Sequence, residues 1–169
     1  MAGGGCFVLL DLSDAYTHLV LSPESQELLM INTHRGLFRY NRLVYGIRSA
    51  PGLFQRAMDY ILQGLDNVFC YIDDILVKGR DFEDCVRSTV KVLERLAKYN
   101  VRLKSSKCKW FEPKVEYLGH AIAATGRRPT LSKVEGIENM KVPTTVKEVR
   151  HVLGLVNFYS EYLPHSSTS

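Results

Sequence analysis

Val68-Phe69-Cys70-Tyr71-Ile72-Asp73-Asp74-Ile75-Leu76-Val77-Lys78 sets two adjacent carboxylates between two apolar runs, and this stretch decides the fold. Residues 68–72 and 75–78 read as strands, because β-branched and aromatic side chains dominate both. Only Asp73 and Asp74 are left between them, so the expected connection is a hairpin with those two as its loop residues. Loops of that length favour Asn-Gly or Asp-Gly, which accept positive φ. Asp-Asp is poor by that standard, so something other than turn chemistry selects it. Like charges about 4 Å apart repel by ~4 kcal/mol at an effective dielectric of about 20. A divalent cation removes that penalty. A further carboxylate has the same character. Cys6-Phe7-Val8-Leu9-Leu10 is apolar without alternation and reads as a strand buried on both faces. It ends in Asp11, and a carboxylate beside so much apolar surface is costly unless paired or holding a cation. Three carboxylates together with phosphate oxygens suit Mg²⁺, which is hard and prefers oxygen.

Working outward, residues 28–31 and 37–40 flank a turn at 32–36 and read as a second hairpin. Residues 51–65 read as a helix with Leu53, Phe54, Ala57, Met58, Ile61 and Leu62 on one stripe. Pro51 fits its first turn, where an amide hydrogen would lack a partner. Residues 81–100 form the most regular helical pattern, with Val86, Val90, Leu93, Leu96 and Ala97 recurring at helical spacing. Residues 109–111 and 115–122 read as further strands. After Gly126 the character changes. A short helix opens at Pro129-Thr130 and runs to about Met140, and Pro143 breaks the pattern. Thr145-Val146-Lys147-Glu148 is a capping box. The helix it opens carries Val149, Val152, Leu153, Val156 and Tyr159 on one side and ends near Leu163-Pro164, before a frayed Ser/Thr tail. The expected fold is a mixed α+β body over 1–126 followed by a small helical appendage over 127–169.

Composition limits the function classes. With 169 residues and 46% apolar content, the chain can build a sizeable core, which excludes wholesale disorder. The formal charge of +4 is too small by itself to mark a nucleic-acid partner. Its distribution says more. Lys98, Arg102, Lys104, Lys107, Lys109 and Lys114 cluster with Trp110, Phe111 and Tyr117 interleaved, a pattern that suits contact with a phosphate backbone. The four cysteines form no C-x-x-C pair, and the histidines show no metal-ligand spacing, so a zinc cage is not expected. No apolar run approaches the ~20 residues that span a bilayer, and the start lacks a basic region followed by an apolar stretch. The expectation is a cytoplasmic or nuclear protein with reduced thiols, neither secreted nor bound to a membrane.

Several stretches, in order, resemble the catalytic motifs of reverse transcriptases. Phe7-Val8-Leu9-Leu10-Asp11-Leu12-Ser13-Asp14-Ala15-Tyr16 resembles the first, and the run from Asn41 to Gln55 through Leu43-Val44-Tyr45-Gly46 the second. Tyr71-Ile72-Asp73-Asp74 resembles the third, the Tyr-x-Asp-Asp box. The run from Leu103 to Cys108 is similar to the lysine-bearing fourth, and Glu116-Tyr117-Leu118-Gly119-His120 to the primer grip. The tail, with Leu153-Gly154-Leu155 and Phe158-Tyr159, resembles the thumb of gypsy-class LTR-retrotransposon polymerases.

The resemblance implies a right-hand polymerase palm: an antiparallel sheet backed by helices over 1–126, with partial fingers at about 22–46, and a truncated helical thumb over 127–169. It implies an RNA-directed DNA polymerase acting on dNTPs and a primer paired to an RNA or DNA template. Asp11 and Asp73 would hold two Mg²⁺ ions, with Asp74 assisting and Mn²⁺ as a substitute. Lys107, or else Lys104, would assist pyrophosphate departure. Leu12, Ser13, Asp14 and Ala15 would meet the triphosphate through their backbone, and Tyr16 would exclude the ribose 2′-oxygen. Tyr45 and Gly46, with Ser49, Ala50 and Pro51, would shape the nucleotide floor. Gln55, Tyr71, Tyr117, Leu118, Gly119 and His120 would meet primer and template. The second motif departs from the Leu-Pro-Phe-Gly common in this class, reading Leu43-Val44-Tyr45-Gly46. In the family the N-terminal fingers precede the position of Gly3 and a ribonuclease H follows the thumb. The chain is therefore expected to polymerise weakly or not at all alone. The alternative is a catalytically inactive derivative that keeps the fold and binds nucleic acid or protein.

Overall fold

A computed structural model describes residues 5–140 and 142–162. Strand β1 (Cys6–Asp11) lies inside a four-stranded antiparallel sheet. The order is β4 (Val68–Tyr71), β5 (Asp74–Gly79), β1, β6 (Lys109–Glu112). Side chains alternate between the two faces of this sheet, and both faces are covered. Val8 and Leu10 of β1, with Ile75 and Val77 of β5, pack with helices α2 (Ala50–Leu62) and α3 (Phe82–Lys98). Phe7 and Leu76 point the other way, onto Val115, Tyr117 and Ile122 of a second sheet. Phe7 is fully buried there. Two covered faces explain why β1 shows no alternation.

The second sheet is β7 (Lys114–Tyr117), β8 (His120–Ala123) and β9 (Gly126–Pro129), in that order. The single run read over 115–122 is therefore two strands. Leu118 and Gly119, at φ 50° and 80°, form the turn between them, and positive φ at both positions is the type I′ pattern. β9 straddles the body–appendage boundary read at 126. The hairpin of the Tyr-x-Asp-Asp box is also shifted by one residue. Tyr71 pairs with Asp74, so the loop residues are Ile72 and Asp73, and Asp74 is the first residue of β5.

The α3 stripe is rotated from the one expected. Its buried residues are Cys85, Thr89, Val92 and Leu96, while Val90 is exposed. Thr89 satisfies its hydroxyl locally, donating to the Cys85 carbonyl at 2.7 Å. Asp81 caps the helix by accepting from Asp84 N–H at 2.8 Å. Gly79 makes room for this start, because a Cβ there would sit 2.4 Å from the Cys85 nitrogen.

A short helix, α1 (Pro23–Leu28), was not anticipated, although Ser22 as cap and Pro23 in the first turn are readable signals. It leads into the hairpin β2 (Met30–Thr33) and β3 (Gly36–Arg39), a separate two-stranded sheet with Leu37, Phe38 and Met30 exposed.

The appendage comprises α4 (Leu131–Glu138) and α5 (Val146–Phe158). Thr145 and Glu148 form the expected capping box. The apolar side of α5 is open: Val149, Leu153 and Val156 are exposed, and Tyr159, just past the helix, is the buried member. A 3₁₀ turn, Ser160–Tyr162, follows. The helix end expected at Leu163-Pro164 and the Ser/Thr tail lie outside the described residues. Among the described residues no helix is long and apolar enough to cross a membrane.

Candidate active site

The ends of β1 and β5 meet. In the β1–β5 register Asp11 lies opposite Asp74, and Leu12 N–H donates to the Asp73 carbonyl at 2.9 Å. Three carboxylates from two distant stretches are thereby gathered at one sheet edge. Asp11 and Asp74 are half-buried and Asp73 is exposed. Burial, then the neighbouring charges of Asp73 and Asp11, raise the proton affinity of Asp74, and Lys107 opposes them. Lys107 sits in a 3₁₀ turn, Ser105–Lys107, with Nζ 3.4 Å from Asp11 Oδ2. Lys104 meets Asp11 through its backbone, donating N–H to the Asp11 carbonyl at 2.8 Å. Of the two lysines considered, Lys107 is the one with an ammonium on the carboxylates.

The donors are hard carboxylate oxygens in a like-charged, partly desolvated cluster, which fits a divalent cation such as Mg²⁺. Among the described residues no three or more His, Cys, Asp or Glu side chains are grouped so as to hold a metal ion.

Beside the carboxylates, the chain after β1 folds into a compact loop. Leu12 is buried and bridges to Leu103, and Ser13 N–H donates to the Arg102 carbonyl at 2.9 Å. Asp14 takes φ 49° and opens a 3₁₀ helix, Ala15–His18. Ala15 is buried, which turns Tyr16 toward the second motif. The Tyr16 ring lies 4.7 Å from that of Tyr45 and 5.6 Å, edge-on, from that of Phe54. The Tyr45 side chain is largely exposed, yet its phenol loses protons less readily than usual, through partial burial and then the charges of Asp14 and Asp73. Gly46, at φ 90°, turns the chain next to it.

Two residues outside the expected set hold this loop. Arg42 Nη1 donates to the Thr17 carbonyl at 2.8 Å, and His18 Nε2 donates to the Ser13 carbonyl at 2.8 Å. Arg42 lies within the second motif, but nothing in its spacing points to residue 17.

Gln55 differs most from expectation. Its side chain faces the β4–β5 turn: Oε1 accepts from Ile72 N–H at 2.7 Å, and Nε2 donates to the Cys70 carbonyl at 3.1 Å and to Asp59 Oδ1 at 2.7 Å. Ile72 has φ 54°, an outlier for a β-branched residue, at a cost of about 1–3 kcal/mol. The thiol of nearby Cys70 is pushed up to about 12, chiefly by burial.

The motif resembling a primer grip, residues 116–120, spans the β7–β8 hairpin of the second sheet. Tyr71 is exposed, whereas Tyr117 is buried and its hydroxyl donates to the Phe69 carbonyl at 3.4 Å. That contact ties β7 to β4. Leu118 is exposed at the turn. Tyr159 Oη donates to the Gly119 carbonyl at 3.4 Å, and His120 stacks on Phe158 and shares a hydrogen bond with Tyr162 at 3.2 Å. Tyr71, Tyr117, Leu118, His120 and Phe158 line a largely apolar cavity of about 460 Å³.

Two carboxylate-bearing strand ends, with an aromatic at the side and a lysine on one of the carboxylates, form a single acidic site at the sheet edge. The family description "reverse transcriptase (RNA-dependent DNA polymerase)" matches residues 1–122, and the chain belongs to that family. Over 160 residues it is 36% identical to an uncharacterized protein of Caenorhabditis elegans, covering 95% of this chain and 12% of that one. It is 32% and 31% identical to the retrovirus-related Pol polyproteins of the Drosophila melanogaster transposons 297 and gypsy. Those alignments cover 94% and 93% of this chain and 15% of each polyprotein. The chain therefore spans only 12–15% of the length of these relatives. The fold matches a foamy viral protease–reverse transcriptase solved with double-stranded DNA, at TM-score 0.89 and 24% identity, covering 98% of this chain and 29% of that one. The right-hand polymerase fold and the retrotransposon affiliation expected from the motifs follow from these matches.

Proposed function

We propose that this chain is the catalytic palm, with part of the fingers and thumb, of a retroelement reverse transcriptase that extends a primer on an RNA or DNA template from dNTPs. The observation that carries the reading is the register setting Asp11 opposite Asp74, with Asp73 in the adjoining turn. Asp11 and Asp73, assisted by Asp74, would hold two Mg²⁺ ions, Mn²⁺ substituting. When bound, the cations supply Lewis-acid chemistry, lowering the pKa of the primer 3′-hydroxyl and neutralising charge on the leaving pyrophosphate.

The chain's own residues position the reactants, and positioning dominates phosphoryl transfer. The amides of Leu12 and Ser13 are spent on the Asp73 and Arg102 carbonyls, which leaves those of Asp14 and Ala15 to meet the triphosphate. Tyr16, braced by Tyr45 and Phe54, closes the space a 2′-oxygen would occupy. Lys107 leaves Asp11 to meet the pyrophosphate. Tyr71, Leu118, Gly119 and His120 guide the primer strand, for which the duplex DNA bound by the foamy viral relative is a precedent.

The test is primer extension on an RNA template with Mg²⁺, comparing this chain, a version joined to an upstream fingers segment, and Asp73→Asn in each. The joined version is expected to extend the primer, and Asp73→Asn to lower the rate by about 10²–10³ or more. The chain alone is expected to extend weakly or not at all, because the basic side chains that grip the triphosphate in the family come from the fingers. Tyr16→Ala in the joined version is expected to admit ribonucleotides. A joined version that is folded but inert, or extension indifferent to Asp73→Asn, contradicts the reading.

A further inference from the structure

We propose that Gln55 is a positioning residue that fixes the backbone of the β4–β5 turn, and so the placement of Asp73 and Asp74; this rests on the reading that those carboxylates hold the cations. Both ends of its carboxamide are engaged, the oxygen by Ile72 N–H and the nitrogen by the Cys70 carbonyl and Asp59. A carboxamide both accepts and donates, as neither an ionised carboxylate nor an ammonium does. With both ends occupied, little of the group is left for a primer or template, the role its motif implied.

The turn needs such a clamp. Ile72 at φ 54° is in a conformation that persists only where the surroundings over-determine it. One side is tied to β1, where Leu12 N–H holds the Asp73 carbonyl. Gln55 ties the other side to α2. Its own placement is firm, since Phe54 and Met58 are buried on the same helix. The far end of α2 is held by Arg95, whose Nη1 donates to the carbonyls of Ile61 at 2.8 Å and Gln63 at 3.2 Å. Asp59, one helical turn beyond Gln55 and exposed, orients the carboxamide. The line from core helix to carboxylate thus runs through one side chain.

The test uses the whole chain and two readouts: residue-by-residue amide exchange, and binding of Mn²⁺ alone followed by its paramagnetic resonance signal. Gln55→Met keeps the stem without the hydrogen bonds, and Gln55→Asn keeps the carboxamide one methylene short. Both are expected to speed exchange at the Ile72 amide by about tenfold, with β1 and α3 amides unchanged. Mn²⁺ affinity is expected to fall by about threefold to tenfold, and Asp59→Ala to have a smaller effect in the same direction. Unchanged Ile72 exchange overturns the proposal. So does parallel acceleration of all amides, which would make Gln55 an ordinary stability residue, and so does a loosened turn with undiminished Mn²⁺ affinity. If the unaltered chain binds Mn²⁺ no more tightly than Asp73→Asn, the metal reading of the carboxylates fails, while Ile72 exchange still decides whether Gln55 clamps the turn.

Discussion

The β4–β5 turn and the β7–β8 turn each close a hairpin in two residues, and each places a non-glycine side chain at positive φ, Ile72 at 54° and Leu118 at 50°. They are held from different directions. The first is clamped by Gln55 of α2, a helix whose Phe54, Met58 and Ile61 lie in the main core. The second is held by the appendage, through Tyr159 on Gly119 and the ring cluster around His120. The helix before Tyr159 leaves Leu153 and Val156 exposed. The turn bearing carboxylates is thus anchored to the main core, although Asp73 itself is exposed. The other turn follows an element with little burial of its own. In the proposed polymerase, chemistry that depends on sub-ångström placement would be served by the first arrangement, and a strand-guiding surface tied to the appendage by the second.

The largest way to separate the two supports is to empty one of them. Phe54→Ala under the first turn is expected to lower unfolding stability by about 3–5 kcal/mol, measured by chemical denaturation. Leu153→Ala, on the exposed side of α5, is expected to change it by less than about 0.5 kcal/mol. Equal losses would contradict the difference in support. Next is Gly119→Ala. Its φ of 80° disfavours a side chain, and the new Cβ would lie 3.2 Å from Tyr159 Oη. A loss of about 1–2 kcal/mol is expected, with faster proteolytic cleavage near residues 142–145 as the appendage undocks. Tyr159→Phe, which removes only the hydroxyl, is expected to cost about 1 kcal/mol and to raise cleavage more modestly at the same place.

The smallest effect lies at the far end of β5. Hydrogen bonds from the backbone N–H of Arg80 and then its guanidinium hold the Asp84 carboxyl down at about 2. Because the folded value lies below the ordinary one, this contribution is complete above pH about 4 and is lost as pH falls toward 2. In Asp84→Asn, denaturation midpoints between pH 5 and 2 should fall less steeply than in the unaltered chain.

Much of this was readable from residue types. The unbroken apolar run before Asp11 indicated a strand covered on both faces, as Phe7 and Val8 show. The capping box at Thr145 fixed a helix start to the residue. What was not readable depends on tertiary context. The α3 stripe read from Val, Leu and Ala held at Leu93 and Leu96 but not at Val90 and Ala97, because Cys85 and Thr89 are buried, Thr89 with its hydroxyl satisfied locally. Apolar content over 115–122 hid a turn, although Leu118-Gly119 carried the glycine that marks it. The one-residue shift at Ile72-Asp73 follows from a positive φ that no propensity assigns to isoleucine, in a turn held by Leu12 on one side and Gln55 on the other. The Gln55–Asp59 spacing of four was visible as a helical pair, but its target was not. The convergence of Asp11 with Asp74 was implied by the family motifs and not by either stretch alone.

The central claim is that β1 and β5 hold like-charged carboxylates together for a cation. The most direct measurement is the melting temperature of Asp74→Asn beside that of the unaltered chain, each with a chelator and with Mg²⁺. Asp74 is half-buried beside Asp11 and Asp73, so neutralising it should relieve repulsion and raise the melting temperature in chelator. Mg²⁺ should then stabilise the unaltered chain and narrow the gap, since a ligand that binds only the folded state adds to its stability. An Asp74→Asn variant that melts lower in chelator, together with an unaltered chain indifferent to Mg²⁺, would contradict the account.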